Sequence, residues 1–213
     1  MRKVFKNPIV AAVTGGIGSG QSSVCSFLSS MGCRTINADL KAKEVIQKNK
    51  QLQKQLKEAF GRDIFEKNGR LNPARLAERA FKDELQTQKL NQLVHPMMVE
   101  SLVEEMERAR FSKKFPIVVI DAALVYEISI EKMFDAVVVV NAPLLQRQKR
   151  VWERDGMTKK QFLARVEKQI PLQDKTAWAD FVIENDDTLE VLEKRTKEVY
   201  DKLMAIQRKQ KAN

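Results

Sequence analysis

Gly15-Gly16-Ile17-Gly18-Ser19-Gly20-Gln21-Ser22 sets the reading of the whole chain. The glycines keep the spacing of the phosphate loop G-x-x-x-x-G-K-[ST], and Gln21 stands where that pattern has lysine. Glycine permits the backbone angles and the close approach that let N–H groups point at an anion. A helix that follows adds the positive end of its dipole. Here an apolar run, Ile9–Thr14, precedes the loop. A helical pattern from Gly20 to about Met31 follows it, with Val24, Phe27, Leu28 and Met31 on one face. A ligand-free glycine turn does not account for that arrangement. Gly16, Ile17, Gly18, Ser19, Gly20, Gln21, Ser22 and Ser23 are therefore the candidate phosphate-binding groups.

The rest of the chain alternates between strands and helices. Arg34–Ala38, Pro116–Asp121 and Asp135–Asn141 read as strands, and Phe181–Glu184 as a short last one. The middle two are β-branched without polar alternation, as strands buried on both faces are. Leu90, Leu93, Val94, Met97, Leu102 and Met106 recur at near-helical spacing through about Lys82–Phe111, where His95-Pro96 should kink or split the helix. Asn141 is expected to cap a helix with Pro143 in its first turn. Thr158-Lys159-Lys160-Gln161 forms a capping box, and Leu189–Gln207 gives a final amphipathic helix. The alternation predicts an α/β fold with a parallel sheet. Residues 40–113 should form a helical lobe, and residues 145–178 read as a mobile basic segment.

Composition narrows the function classes. The chain has 213 residues, a net charge of +10 and 43% hydrophobic residues. Its longest apolar runs, Ile9–Val13 and Ala136–Val140, are too short to span a bilayer. Met1-Arg2-Lys3-Val4-Phe5-Lys6 faintly resembles a secretory n-region but leads into the glycine loop rather than a cleavage site. It reads as a first strand in a cytoplasmic protein. Cys25 and Cys33 match no zinc or redox spacing and read as reduced core residues. The positive charge suits an anionic partner. Its main clusters, Lys48–Lys57 and the tail Arg208-Lys209-Gln210-Lys211, lack interleaved aromatics and read as solvated helix faces, so nucleic acid is not the expected partner.

Several other residues carry possible chemistry. Lysine in a phosphate loop supplies a point charge to the β- and γ-phosphates. A neutral glutamine forfeits it, at a cost of roughly 10²–10³ in rate by analogy with oxyanion-hole donors. Lys41, Lys43 or the basic segment could supply a substitute cation. Ser22 has the position of the hydroxyl that ligates Mg²⁺, and Asp121, closing Ile117-Val118-Val119-Ile120, has the form of the carboxylate that helps hold it. Asp39 could accept a proton from an attacking hydroxyl or serve as a helix N-cap. Arg147, Arg150 and Arg154 share one helix face, which suits polyphosphate or solvent alike. Arg154, at the turn Arg154-Asp155-Gly156, is the preferred candidate. His95, the only histidine, is either structural or a phosphate or substrate contact.

Together these pieces resemble the dephospho-CoA kinase family over nearly the whole chain. Thr14–Gly20 is similar to that family's phosphate loop, and Ala38-Asp39-Leu40 to the end of its Asp-Ala-Asp motif. Leu93-Val94-His95-Pro96 resembles its His-Pro segment, and Asp121–Glu127 its Pro-Leu-Leu-Phe-Glu stretch. Arg154–Met157 with Ala164-Arg165 and Gln169 resembles its lid, and Asp180–Asn185 its late strand and nucleotide-side loop. The resemblance implies a P-loop kinase in three α/β/α layers. Its core would be residues 1–39, 114–144 and 179–213, with a coenzyme-binding lobe at 40–113 and a lid at 145–178. It implies ATP and Mg²⁺ as cofactors and dephospho-CoA as the acceptor. Asp39 would be the base, Arg154 the closing cation and Arg150 a nucleotide contact. Asn185 would lie near the adenine, with Lys43, His95 and Glu127 on the acceptor side. Four positions depart from the family pattern: Gln21 for lysine, Asn37 for the first Asp, Lys43 for arginine and Ala123 for proline. Asp39, Ser22, Glu127 and Arg154 remain. The competing readings are a nucleotide-binding pseudokinase, a kinase for another nucleoside or nucleotide, and a basic nucleic-acid-associated protein.

Overall fold

The computed structural model describes residues 8–209. The opening basic stretch Met1–Lys6 and the end of the basic tail lie outside them. The elements follow the chain as β1 (Ile9–Gly15), α1 (Gln21–Ser30), β2 (Arg34–Asn37), α2 (Ala38–Lys48), α3 (Lys50–Phe60), α4 (Pro73–Ala80), α5 (Glu84–Ser112), β3 (Ile117–Asp121), β4 (Ala136–Asn141), α6 (Leu144–Asp155), α7 (Lys159–Val166), α8 (Leu172–Trp178), β5 (Phe181–Glu184) and α9 (Leu189–Lys209). Two compact units divide the chain: Ala38–Glu105, and the segments before and after it.

The flanking segments build a five-stranded sheet in the order β2-β3-β1-β4-β5, parallel throughout. All seven residues of β1 are buried, as are Ile117–Ile120 and Ala136–Val140. Successive side chains on a strand point to opposite faces, so complete burial means that both faces of the sheet are covered. On one face Val24 and Leu28 of α1 and Leu192, Val199 and Leu203 of α9 join Val13, Val119, Val138 and Ile183 in one core. Cys25 and Cys33 are free thiols in that core, as expected. The sheet order reverses beside β1, so the chain leaves β1 at the switch point where α/β sheets place ligands. The register aligns Val13 and Asn37 with Asp121, and Asn141 with Glu184.

The second unit, Ala38–Glu105, is helical. Leu52, Leu56, Phe60, Ile64, Leu76 and Val94 are among its core residues. Asn49 caps α3 and Asn72 caps α4, with Pro73 at the first helical position. The lysines of α3 lie opposite its buried leucines, which accounts for the basic run as a solvated face.

Three local expectations are corrected. Pro96 does not split its helix: α5 runs unbroken through it. Proline removes one backbone donor there, and burial of Val94, Met98 and Leu102 along α5 offsets that loss. Asn141 does not cap α6, whose N-cap is Pro143. Its amide instead donates to both Glu184 oxygens, at 2.9 and 3.2 Å, across the β4–β5 pair. Asp39 is not an N-cap, because α2 begins at Ala38 and takes Asp39 into its first turn. The Thr158 capping box is present as predicted. Among the described residues no helix is long and apolar enough to cross a membrane.

Candidate active site

The glycine loop leaves β1 and closes on α1. Gly18 and Gly20 adopt φ of +79° and +96°, angles that cost an L side chain heavily. Ser19 N–H donates to Gly16 O at 2.9 Å and Ser23 N–H to Gly20 O at 3.0 Å, which fixes the turn. The missing side chains make room for polar groups from elsewhere. A Cβ at Gly20 would collide with the Asn185 amide, and one at Gly16 with Arg147 Nη1. A Cβ at Gly18 would sit 2.6 Å from Arg147 O and 2.8 Å from Val151 Cγ2, so α6 packs directly on the loop.

Those groups tie the loop to its surroundings. Asn185, buried after β5, donates its amide to Ser19 O at 2.7 Å. Arg150 on α6 in turn donates to Asn185 O and Oδ1, at 3.0 and 3.2 Å, while its Nη1 is buried without a partner. Gln169 Oε1 accepts from Ile17 N–H at 3.0 Å, and Ser19 Oγ is buried and unpartnered. Loop donors and unmet polar atoms therefore converge at the end of β1.

Gln21 does not imitate lysine. Its amide donates to Asp121 Oδ1, while Asn37 Nδ2 donates to Asp121 Oδ2 at 2.8 Å. Burial first, and the Asp121 carboxylate second, push the Cys25 thiol far above its usual range. Gln21 and Asn37 thus share one carboxylate. A carboxylate at 37 would need a cation between it and Asp121, whereas an amide at 37 needs none. No cation among the described residues pairs with Asp121, so its charge remains uncompensated.

A second cluster lies beside the loop. Lys175 on α8 is fully buried, with Nζ 2.6 Å from Glu127 Oε1 and 3.1 Å from Ala123 O. Thr14 Oγ1 donates to the same carbonyl at 3.2 Å, and Ile170 N–H to Glu127 Oε1 at 3.0 Å. Burial pulls the Lys175 ammonium below its usual pKa, more than Glu127 raises it. Nothing in the sequence singles out Lys175 among 38 basic residues.

The remaining sequence candidates stand as follows. Ser22 is exposed in the first turn of α1. Arg154 is also exposed, and its guanidinium is taken up by Asp155 through bonds of 2.8 and 2.7 Å. In the helical unit, Lys43 is exposed and His95 is half-buried, with its pKa lowered by desolvation. Lys41 is no substitute cation for the loop. Its charge is committed to Glu44 at 2.7 Å and Glu105 at 3.1 Å.

Comparison with known proteins agrees with this geometry. The dephospho-CoA kinase family profile matches residues 9–190. A dephospho-CoA kinase of Thermobifida fusca is 37% identical over 191 residues, covering 90% of this chain and 94% of that protein. One of Listeria monocytogenes is 35% identical over 188 residues, covering 88% and 92%. The crystal structure of TT1252 from Thermus thermophilus superposes with a TM-score of 0.77 at 33% identity, covering 93% of this chain and 99% of that one. A parallel five-stranded sheet, a phosphate loop at its switch point and these matches along nearly the whole length lead to one conclusion: the chain belongs to the dephospho-CoA kinase family.

Proposed function

We propose that this chain transfers the γ-phosphoryl group of ATP to the ribose 3′-hydroxyl of dephospho-CoA, giving coenzyme A and ADP. The observation that carries this reading is the loop itself, with its glycine turn intact and buried polar groups of α6 and the β5 end gathered around it. In the reaction the 3′-oxygen forms a bond to the γ-phosphorus and the bond to the β–γ bridging oxygen breaks. Asp39 accepts the hydroxyl proton. Gly16 to Ser23 bind the ATP phosphates through backbone N–H groups and the α1 dipole. Ile17 N–H becomes available once Gln169 moves off it. Asn185 and Arg150 secure the nucleotide side of the loop. Lys43 and His95 serve the acceptor, His95 as a neutral imidazole, since desolvation lowers its pKa. Glu127 acts on the acceptor side and also holds Lys175. Arg154 serves as the closing cation after exchanging Asp155 for phosphate.

The donor set suits magnesium. A serine hydroxyl and a carboxylate with an uncompensated charge are hard oxygen ligands, and Ser22 and Asp121 would hold the ion together with phosphate oxygens. When bound, it neutralises charge on the transferring phosphoryl group. The free, buried cysteines suit a reducing compartment, and we assign the enzyme to the cytoplasm.

One observation favours a second reading, a nucleotide-binding pseudokinase: the Gln21 amide is engaged by Asp121 rather than facing outward. Purified protein with ATP, Mg²⁺ and dephospho-CoA separates the two. Coenzyme A above background is expected. Binding of ATP without any coenzyme A would favour the second reading.

A further inference from the structure

Three of the cations considered for this site are committed to carboxylates, and a fourth, Arg150, is committed to amide groups through one terminal nitrogen while its Nη1 stays unpartnered. Lys41 is held by two carboxylates, Lys175 by Glu127 and Arg154 by Asp155, while Arg150 spends its Nη2 donors on Asn185 and Gln146. Arg147 is different. It is 6% exposed, its Nε is buried with no partner, and no ion pair or side-chain hydrogen bond reaches its guanidinium among the described residues. A neighbour on one side is Phe162, whose ring centroid is 6.0 Å from Cζ. On another is the phosphate loop, where Nη1 occupies the space a Gly16 side chain would take and Cζ lies 3.2 Å from that point. Gly16 lacks a positive φ, so room for this guanidinium, rather than a backbone angle, is what glycine provides there.

A buried guanidinium cannot shed its proton at ordinary pH, and without a counter-charge it is costly to hold. Lys175 is close enough to feel its repulsion, and Glu127 answers only one of the two charges. A guanidinium buried without a partner beside the loop calls for an anionic counter-group, and the ligand the loop is built for is polyanionic. We propose that Arg147 supplies the positive charge that the loop lacks at Gln21, with its guanidinium on the phosphates of bound ATP. Its planar fork can meet two phosphate oxygens at once. Gln21, relieved of that duty, clasps Asp121 with Asn37.

This inference rests on the proposed ATP-binding reading. The test is calorimetric titration of ATP and ADP into the wild type, Arg147→Gln, Arg147→Lys, Gln21→Lys and the double variant Gln21→Lys/Arg147→Gln. Thermal unfolding is measured on each without ligand. Arg147→Gln should weaken ATP binding about 10–100-fold, the scale of one charge-assisted bidentate contact. The unliganded protein should be no less stable, because an uncompensated charge has gone. Arg147→Lys should retain part of the affinity. Gln21→Lys should recover most of the loss in the Arg147→Gln background and gain clearly less in the wild type, the non-additivity expected of one shared role. ATP affinity of Arg147→Gln within twofold of wild type would overturn the inference and leave the kinase reading standing. So would an equal gain from Gln21→Lys in both backgrounds, or a loss of unliganded stability with affinity unchanged, which is the signature of a packing role. A wild type that binds no ATP would remove both readings.

Discussion

Glu127→Gln tests the cluster that fastens α8 beside the loop. The change keeps the acceptor for Ile170 N–H and nearly the same volume, so the charge facing Lys175 is what disappears. The ammonium is fully buried, 2.6 Å from that same oxygen, so it loses the carboxylate's charge and keeps only neutral acceptors, the amide oxygen and the Ala123 carbonyl at 3.1 Å. Breaking a buried pair by removing one partner costs about 3–5 kcal/mol. The cost has a ceiling, since the lysine can release its proton instead. From its usual 10.5 down to pH 7, that release costs about 5 kcal/mol at roughly 1.4 kcal/mol per pH unit. The ceiling drops with rising pH, because the unfolded lysine stays protonated up to its usual value while the folded one is already neutral. At pH 9 the deficit should be about 2 kcal/mol or less. Urea unfolding followed by circular dichroism at pH 7 and pH 9 measures both values. Lys175→Met added to Glu127→Gln should restore most of the stability at pH 7. A deficit below about 1 kcal/mol, or one that does not shrink with pH, would refute the reasoning and return Glu127 to a purely substrate-facing role.

Other outcomes follow from the same geometry. Asn37→Asp puts a second carboxylate against Asp121 and should destabilise the protein, by about 1–3 kcal/mol in urea unfolding. Gln21→Lys in the same chain should recover much of that loss; additive effects would mean the two positions are not linked. Cys25 and Cys33 should resist alkylation in the native protein at pH 8, since burial pushes Cys33 up to about 12 and Cys25 higher. Rapid modification of either without unfolding would contradict their burial. Lys41 and Lys48 hold Glu44 at about pKa 2, so its stabilising contribution is present above about pH 4.5 and is lost as the pH falls toward 2. The pair is partly exposed, so Glu44→Gln at pH 7 should cost under about 1 kcal/mol in urea unfolding.

The sequence carried the sheet and the loop because their signals are local. Uninterrupted β-branched runs mark strands buried on both faces, and glycine spacing marks the cradle. Asp121 was legible for the same reason, as the polar residue that ends an apolar strand. Pro96 misled because a proline's local cost was set against tertiary burial that no short window displays. Asn141 misled because its partner, Glu184, lies a strand away. Lys175 was hidden, and Arg147 stood undistinguished beside Arg150 and Arg154, for a more general reason. A basic residue on an amphipathic helix looks the same whether it faces solvent or a phosphate cradle, and only packing tells which one is buried without a carboxylate. The link between Gln21 and Asn37 is likewise invisible until Asp121 is placed between them.

The most direct measurement is a single-turnover reaction with excess enzyme, ATP labelled in its γ-phosphate, Mg²⁺ and dephospho-CoA, quenched over time and resolved chromatographically. Label should pass to the ribose 3′-position of coenzyme A as ADP appears. ATP that remains bound and intact beside dephospho-CoA, with no labelled coenzyme A, would contradict phosphoryl transfer by this chain.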